Sequence, residues 1–184
     1  MLTIPASRPG INAMVPGTTG TNGEGQIARP SPCWSPERLL ARARWSAREV
    51  VPLDGATRLT TRRYELLERT DEYESWVIFW PEGTGLLLHD HGGSAGAFHV
   101  VAGTLEETST NLGGLRLRRR TFGPGASKSF GPAYVHSLVN PRPAPATTVH
   151  AYSPPLTSMR FYAHGPTGLA LTGVVTDWEG APPD

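Results

Sequence analysis

A chain of 184 residues with 17 Lys and Arg against 16 Asp and Glu carries a formal net charge of +1. No overall field draws such a chain to nucleic acid or to a charged membrane surface, and its length suits one domain with a sizeable core. The single cysteine, Cys33, excludes an internal disulfide framework and a cysteine-based zinc site, and fits a reducing cytosol.

The N-terminal stretch MLTIPASRPG lacks the basic start and apolar core of a signal peptide, and no run reaches the roughly 18 apolar residues of a membrane span. A cytoplasmic protein with a small-molecule substrate is expected. Residues 1–32 hold five Gly and five Pro among Ser, Thr and Asn. That composition buries too little apolar surface to offset its ordering entropy, so a disordered tail over 1–32 and a single domain over 33–184 are expected.

Folding is expected to begin in WSPERLLARARWSAREVV. Ser35 is placed to cap a helix, Pro36 suits its first position, and Glu37 faces the positive end of the dipole. Leu39, Leu40, Ala43, Ala47 and Val50 recur at helical spacing, which predicts one short amphipathic helix.

From residue 57 the texture changes. ESWVIFW, AFHVVAGTLEET, LRLRRRTF, YVHSLV, TTVHAY and MRFYAH are short segments rich in β-branched or aromatic residues, divided by Gly, Pro, Asn and Ser. The pattern predicts an all-β barrel or sandwich rather than alternating strands and helices. In LRLRRRTF, Leu115 and Leu117 alternate with Arg116 and Arg118, which predicts a strand with one solvated face. No aromatic residues interleave with these arginines, so the run is not read as a nucleic-acid groove.

Three of the six histidines fall in GLLLHDHGGSAGAFHVV. Side chains two apart on a strand share a face, so His89 and His91 can present two imidazoles to one ion while Asp90 points away. A pair at this spacing is also compatible with structural histidines. His99 follows the GGSAG break and reads as structural, and His164 in AHGPTG has no evident partner. His150 and Tyr152 again lie two apart, and a histidine in line with a buried phenol can hydrogen-bond it and tune its proton.

The stretch around His89 resembles the first motif of the cupin family. His89 and His91 match its histidine pair, Gly103 matches its closing glycine, and Gly96 stands where its metal-binding glutamate would be. His136 and Asn140 in GPAYVHSLVN match the second motif. The resemblance implies a jelly-roll β-barrel with a short N-terminal helical segment, and a metal held by three neutral histidines with no carboxylate. Such a set leaves about half of an octahedral shell open, enough for a bidentate substrate and dioxygen.

HDH, YVHSLVN and HAYSPPL, in that order, further resemble the cysteine dioxygenase family over roughly residues 58–175. That resemblance implies Fe(II) held by His89, His91 and His136, with a small thiol and dioxygen as the molecules bound. It implies Tyr152 as the active-site tyrosine, His150 as the group orienting its hydroxyl, and Thr148 in the place of the family's serine. Matching outward without gaps from His89 through Trp80 places the family's carboxylate-binding arginine at Arg63, with Arg62 on the opposite face. Gly96 stands where some members carry a cysteine cross-linked to the tyrosine, so an ordinary phenol is expected at Tyr152; Thr61 replaces a tyrosine two before the arginine, which removes a possible hydrogen bond near the substrate.

The implied reaction is oxidation of L-cysteine to cysteine sulfinic acid by a monomer with no nucleic-acid or membrane partner. The alternatives are oxidation of 3-mercaptopropionate or cysteamine, and a cupin that binds metal without redox chemistry.

Overall fold

The computed structural model describes residues 33–53 and 59–176, so the tail expected over 1–32 lies outside the described residues. Helix α1 spans Pro36–Ser46 and is followed by a single turn of 3-10 helix, Ala47–Glu49. Ser35 is extended, and its hydroxyl accepts from the Arg38 amide, so the cap forms where the sequence places it. Leu39 and Ala43 are buried against Ala95, Ala97, Val149 and Ala151. These small side chains let the helix lie close on the sheet, and the Trp34 indole N–H anchors its start by donating to Glu72 at 2.7 Å.

Eleven strands follow in the described chain: β1 (Arg63–Arg69), β2 (Glu74–Trp80), β3 (Gly85–His89), β4 (Ala95–Ala102), β5 (Leu105–Asn111), β6 (Arg118–Phe122), β7 (Ser127–Phe130), β8 (Tyr134–Val139), β9 (Ala146–Ser153), β10 (Ser158–Gly165) and β11 (Gly168–Thr176). They form two antiparallel sheets, ordered β1-β2-β9-β4-β7 and β11-β10-β3-β8-β5-β6. Consecutive strands β4 and β5 belong to different sheets and are joined across Gly103, whose φ is +74°. A Cβ there would stand 2.5 Å from Ala146 Cα, so only glycine makes this corner.

This is the jelly-roll architecture of a cupin, with the core between the sheets: Trp76, Ile78, Trp80, Phe98, Leu105, Phe122 and Leu138 pack there. β2 and β9 are buried along their whole length because the core covers one face and α1 or neighbouring chain the other. The arginine run departs from expectation. Residues 115–117 lie outside any strand, Leu115 and Leu117 are exposed, and β6 begins only at Arg118 as the edge of its sheet. Leucine alternation carries no strand where no sheet face is there to bury it.

Candidate metal centre

His89 closes β3, His136 lies on β8, and the two are register partners. His91 lies just beyond β3 rather than within a strand, in the turn that leads to β4. Asp90 between them turns the other way and is fully buried. It accepts from the Gly92 amide at 3.0 Å and from the Tyr162 hydroxyl at 2.7 Å, and it forms an ion pair with Arg160, whose Nε lies 2.8 Å away. The turn carrying His91 is thereby tied to β10, which brings it back over the barrel mouth.

The three imidazoles offer one nitrogen each within 4.8 Å of one another, and all three rings are buried. His89 Nδ1–H donates to the Leu87 carbonyl at 2.7 Å, and His136 Nδ1–H donates to Glu107 Oε1 at 3.0 Å. Their Nε2 lone pairs are left for the centre. His91 Nε2 is buried without a hydrogen-bond partner among the described residues. Burial pushes His89 down from 6.5 to about 4, helped by the nearby Arg62 charge, and pushes His91 and His136 well below the usual histidine range. Three neutral rings with converging lone pairs, one of them orphaned, fit a divalent metal held by imidazole alone.

His91 is stacked between two rings, Phe130 at 4.9 Å and Tyr152 at 5.0 Å. Tyr152 lies on β9 with His150 and Thr148 on the same inward face. Trp80 Nε1–H donates to Thr148 Oγ1 at 2.8 Å; the Thr148 hydroxyl lies 2.9 Å from His150 Nε2, and His150 Nδ1 lies 3.0 Å from the Tyr152 oxygen. An indole nitrogen only donates, so the Thr148 oxygen accepts from Trp80; where Thr148 gives its own proton to Nε2, Nδ1–H donates to the phenol oxygen and the phenol proton is left to face the cavity. Burial holds His150 down at about 3, and burial together with the Glu74 carboxylate holds the Tyr152 phenol far above its usual range. Tyr152 is therefore a proton donor in a hydrogen bond and not a base.

A narrow cavity runs from these groups toward the surface. Tyr64, Trp76, Ile78 and Trp80 line one side, with Leu86, His89, His136 and Leu138 from the other sheet. Arg69 and Glu74 close one end as an ion pair, and Glu74 also accepts from the Leu156 amide at 3.2 Å.

The expectation for Arg63 needs correction. Its side chain is 57% exposed, pairs with Glu65 and lies outside the cavity, over the outer face of Phe79. Arg62 is 7% exposed, with its guanidinium 5.4 Å from the Trp80 ring and 5.2 Å from the Tyr64 ring. Register is the cause: Arg63 is the partner of Phe79, which lies outside the inter-sheet core, so Arg62 before it falls on the face that Ile78 and Trp80 turn inward. A shift of one residue exchanges the two faces.

Glu107, Phe130, Tyr64 and the Arg69–Glu74 pair were not singled out from the sequence. Only Glu107 carried a signal there: with Leu105 and Ser109 it occupies the inward parity of LEETS, where a carboxylate is out of place unless paired.

The two-sheet barrel with a buried three-histidine centre defines a metal-binding cupin. The chain belongs to the cysteine dioxygenase type I family, whose model matches residues 53–165, and is thus a metal-dependent thiol dioxygenase. No curated protein matches the chain. Among solved structures, the TT1209 protein of Thermus thermophilus is similar at 13% identity, covering 53% of this chain and 88% of that one with a TM-score of 0.47. A conserved double-stranded β-helix protein of Klebsiella pneumoniae is similar at 17% identity, covering 78% and 98% with a TM-score of 0.46. A cupin superfamily protein of Desulfitobacterium hafniense is similar at 10% identity, covering 53% and 81% with a TM-score of 0.43. No helix among the described residues is long and apolar enough to cross a membrane.

Proposed function

We propose that the protein uses Fe(II), held by His89, His91 and His136, to oxidise L-cysteine with dioxygen to cysteine sulfinic acid, and that it works as a cytoplasmic monomer. The observation that carries this reading is the Trp80–Thr148–His150–Tyr152 chain, which aims a phenol proton into the same cavity as three neutral imidazoles. A hydrolytic or merely binding cupin has no need of such a donor. Iron, when bound, supplies the redox-active centre at which a thiolate sulfur and dioxygen meet.

The chain's own residues then supply position and electrostatics. Arg62, the buried arginine beside Trp80, holds the substrate carboxylate through two parallel hydrogen bonds, which fixes orientation as well as charge. Tyr152 donates to the reacting groups, and His150 keeps that hydroxyl turned inward. Ile78, Leu86, Leu138, Leu156 and Met159 keep water out and strengthen these polar contacts. Both atoms of dioxygen pass to sulfur, so the thiol becomes a sulfinic acid with no external reductant.

The test is oxygen uptake by iron-loaded protein given L-cysteine, 3-mercaptopropionate or cysteamine, with the sulfinate identified by mass spectrometry. Cysteamine has no carboxylate and gains nothing from Arg62, so it is expected to be the poorest of the three. R62Q is expected to lose activity on the carboxylate thiols, and R63Q to keep it. Failure to consume oxygen with any thiol at full iron occupancy sinks the reading.

A further inference from the structure

The three imidazoles of the centre are not backed alike. His89 donates its Nδ1 proton to a neutral backbone carbonyl, whereas His136 donates to the carboxylate of Glu107. Three carboxylates are fully buried near this end of the described barrel, Glu74, Asp90 and Glu107, and only Glu107 touches one of the rings.

Its placement follows from strand parity. Leu105, Glu107 and Ser109 alternate inward along β5, and Ser109 is the register partner of His136. Glu107 is thus one diagonal step away on the same face, within reach of the ring. Each carboxylate oxygen has its own partner: Oε1 takes the His136 proton, and Oε2 takes Lys128 Nζ at 2.7 Å. Lys128 is 19% exposed and rests 4.5 Å from the Tyr134 ring, so the carboxylate is held from the solvent side by a cation that is itself packed.

A carboxylate on Nδ1–H fixes the tautomer with the lone pair on Nε2 and pushes electron density through the ring toward whatever Nε2 binds. A lysine on the far oxygen draws some of that density back. We propose that Glu107 is a positioning residue that makes His136 the strongest donor of the three, and that Lys128 sets how strong. The centre then has one electron-rich corner, although the three-histidine cluster among the described residues includes no carboxylate.

The inference rests on the three-histidine metal site and not on which thiol is oxidised, and its test needs no turnover. Co(II) affinity is measured anaerobically by chelator competition in the full chain and in E107Q and K128M. E107Q keeps the shape and an acceptor but loses the charge, and affinity is expected to fall about 10- to 100-fold. K128M leaves the carboxylate unneutralised, and affinity is expected to rise several-fold. Opposite signs are the signature, because residues that merely support the fold weaken binding together when removed.

Equal affinity in E107Q and the unaltered chain overturns the proposal, and so does a loss in both variants. Should E107Q fail to fold, K128M decides alone: a gain supports the proposal and a loss refutes it. A protein that binds Co(II) in this pattern yet oxidises no thiol would reject the proposed activity while leaving Glu107 in its role.

Discussion

The ring of Phe130 occupies the space that a side chain on Gly96 would need: a Cβ at position 96 would stand 2.5 Å from Phe130 Cζ and 2.9 Å from Tyr152 Cδ1. The sequence resemblance sets Gly96 at the place of the cupin glutamate, and in this chain the space beside it holds an aromatic ring stacked on His91. Restoring cysteine alone is expected to overpack the site. G96C should cost about 1–3 kcal/mol in a urea titration, and intact-mass measurement should find no cross-link to Tyr152. The cost should shrink in a Phe130→Ala background; an equal cost in both backgrounds would refute the steric account.

The polarised chain behind Tyr152 can be cut at its middle. Thr148→Val keeps the volume but strands the Trp80 indole N–H and leaves His150 Nε2 without its donor, both inside the core. Stability is expected to drop by about 1–3 kcal/mol, with kcat falling more than KM rises. Thr148→Ser keeps the hydroxyl and is expected to recover most of the loss, as read by steady-state oxygen uptake.

How much of this was legible in the sequence depended on the reach of each interaction. The helix start was legible because Ser35, Pro36 and the Arg38 amide lie within one turn, and capping chemistry is local. The His150–Tyr152 relay was legible for a similar reason, since a spacing of two fixes a shared face within one strand. Arg62 was passed over because the pairing of β1 with β2 decides which arginine turns inward, and register leaves no composition of its own. Glu107 and His136 are 29 residues apart and meet only through sheet register. Phe130 was missed because an aromatic residue in a barrel strand looks like core until the glycine opposite it is seen.

The apoprotein should lose stability in acid. His150 and His89 are held at about 3 and about 4 in the folded chain against 6.5 when unfolded, both chiefly by burial. Below about pH 6.5 the unfolded chain takes up protons that the native rings refuse, so stability rises with pH across that window. The urea midpoint of metal-free protein is expected to fall steadily from about pH 6.5 toward about 4 and to be flat above about 7 as far as these rings are concerned. His150→Gln should reduce the slope, and an unchanged slope would show that this ring does not carry it.

Metal binding should be visible as folding free energy. Co(II) at about 100 times its Kd is expected to stabilise the protein by about 2.7 kcal/mol over the metal-free form. His91→Ala removes the imidazole whose Nε2 has no partner among the described residues and should abolish that gain. Thermal denaturation with and without Co(II) checks both; a shift that survives in the variant would place the ion elsewhere.

Strand β9 pairs with β2 on one side and β4 on the other, and carries Thr148, His150 and Tyr152 inward while Val149 and Ala151 face helix α1. It has neither a free edge nor an open face. Its amides have no local route to solvent, so hydrogen exchange along residues 146–153 should track unfolding of the whole domain. Under the proposed function, the tyrosine that donates to substrate is thereby mounted on a strand paired on both sides, and adjustment to different thiols would fall to the edge strand β1, which Arg62 precedes.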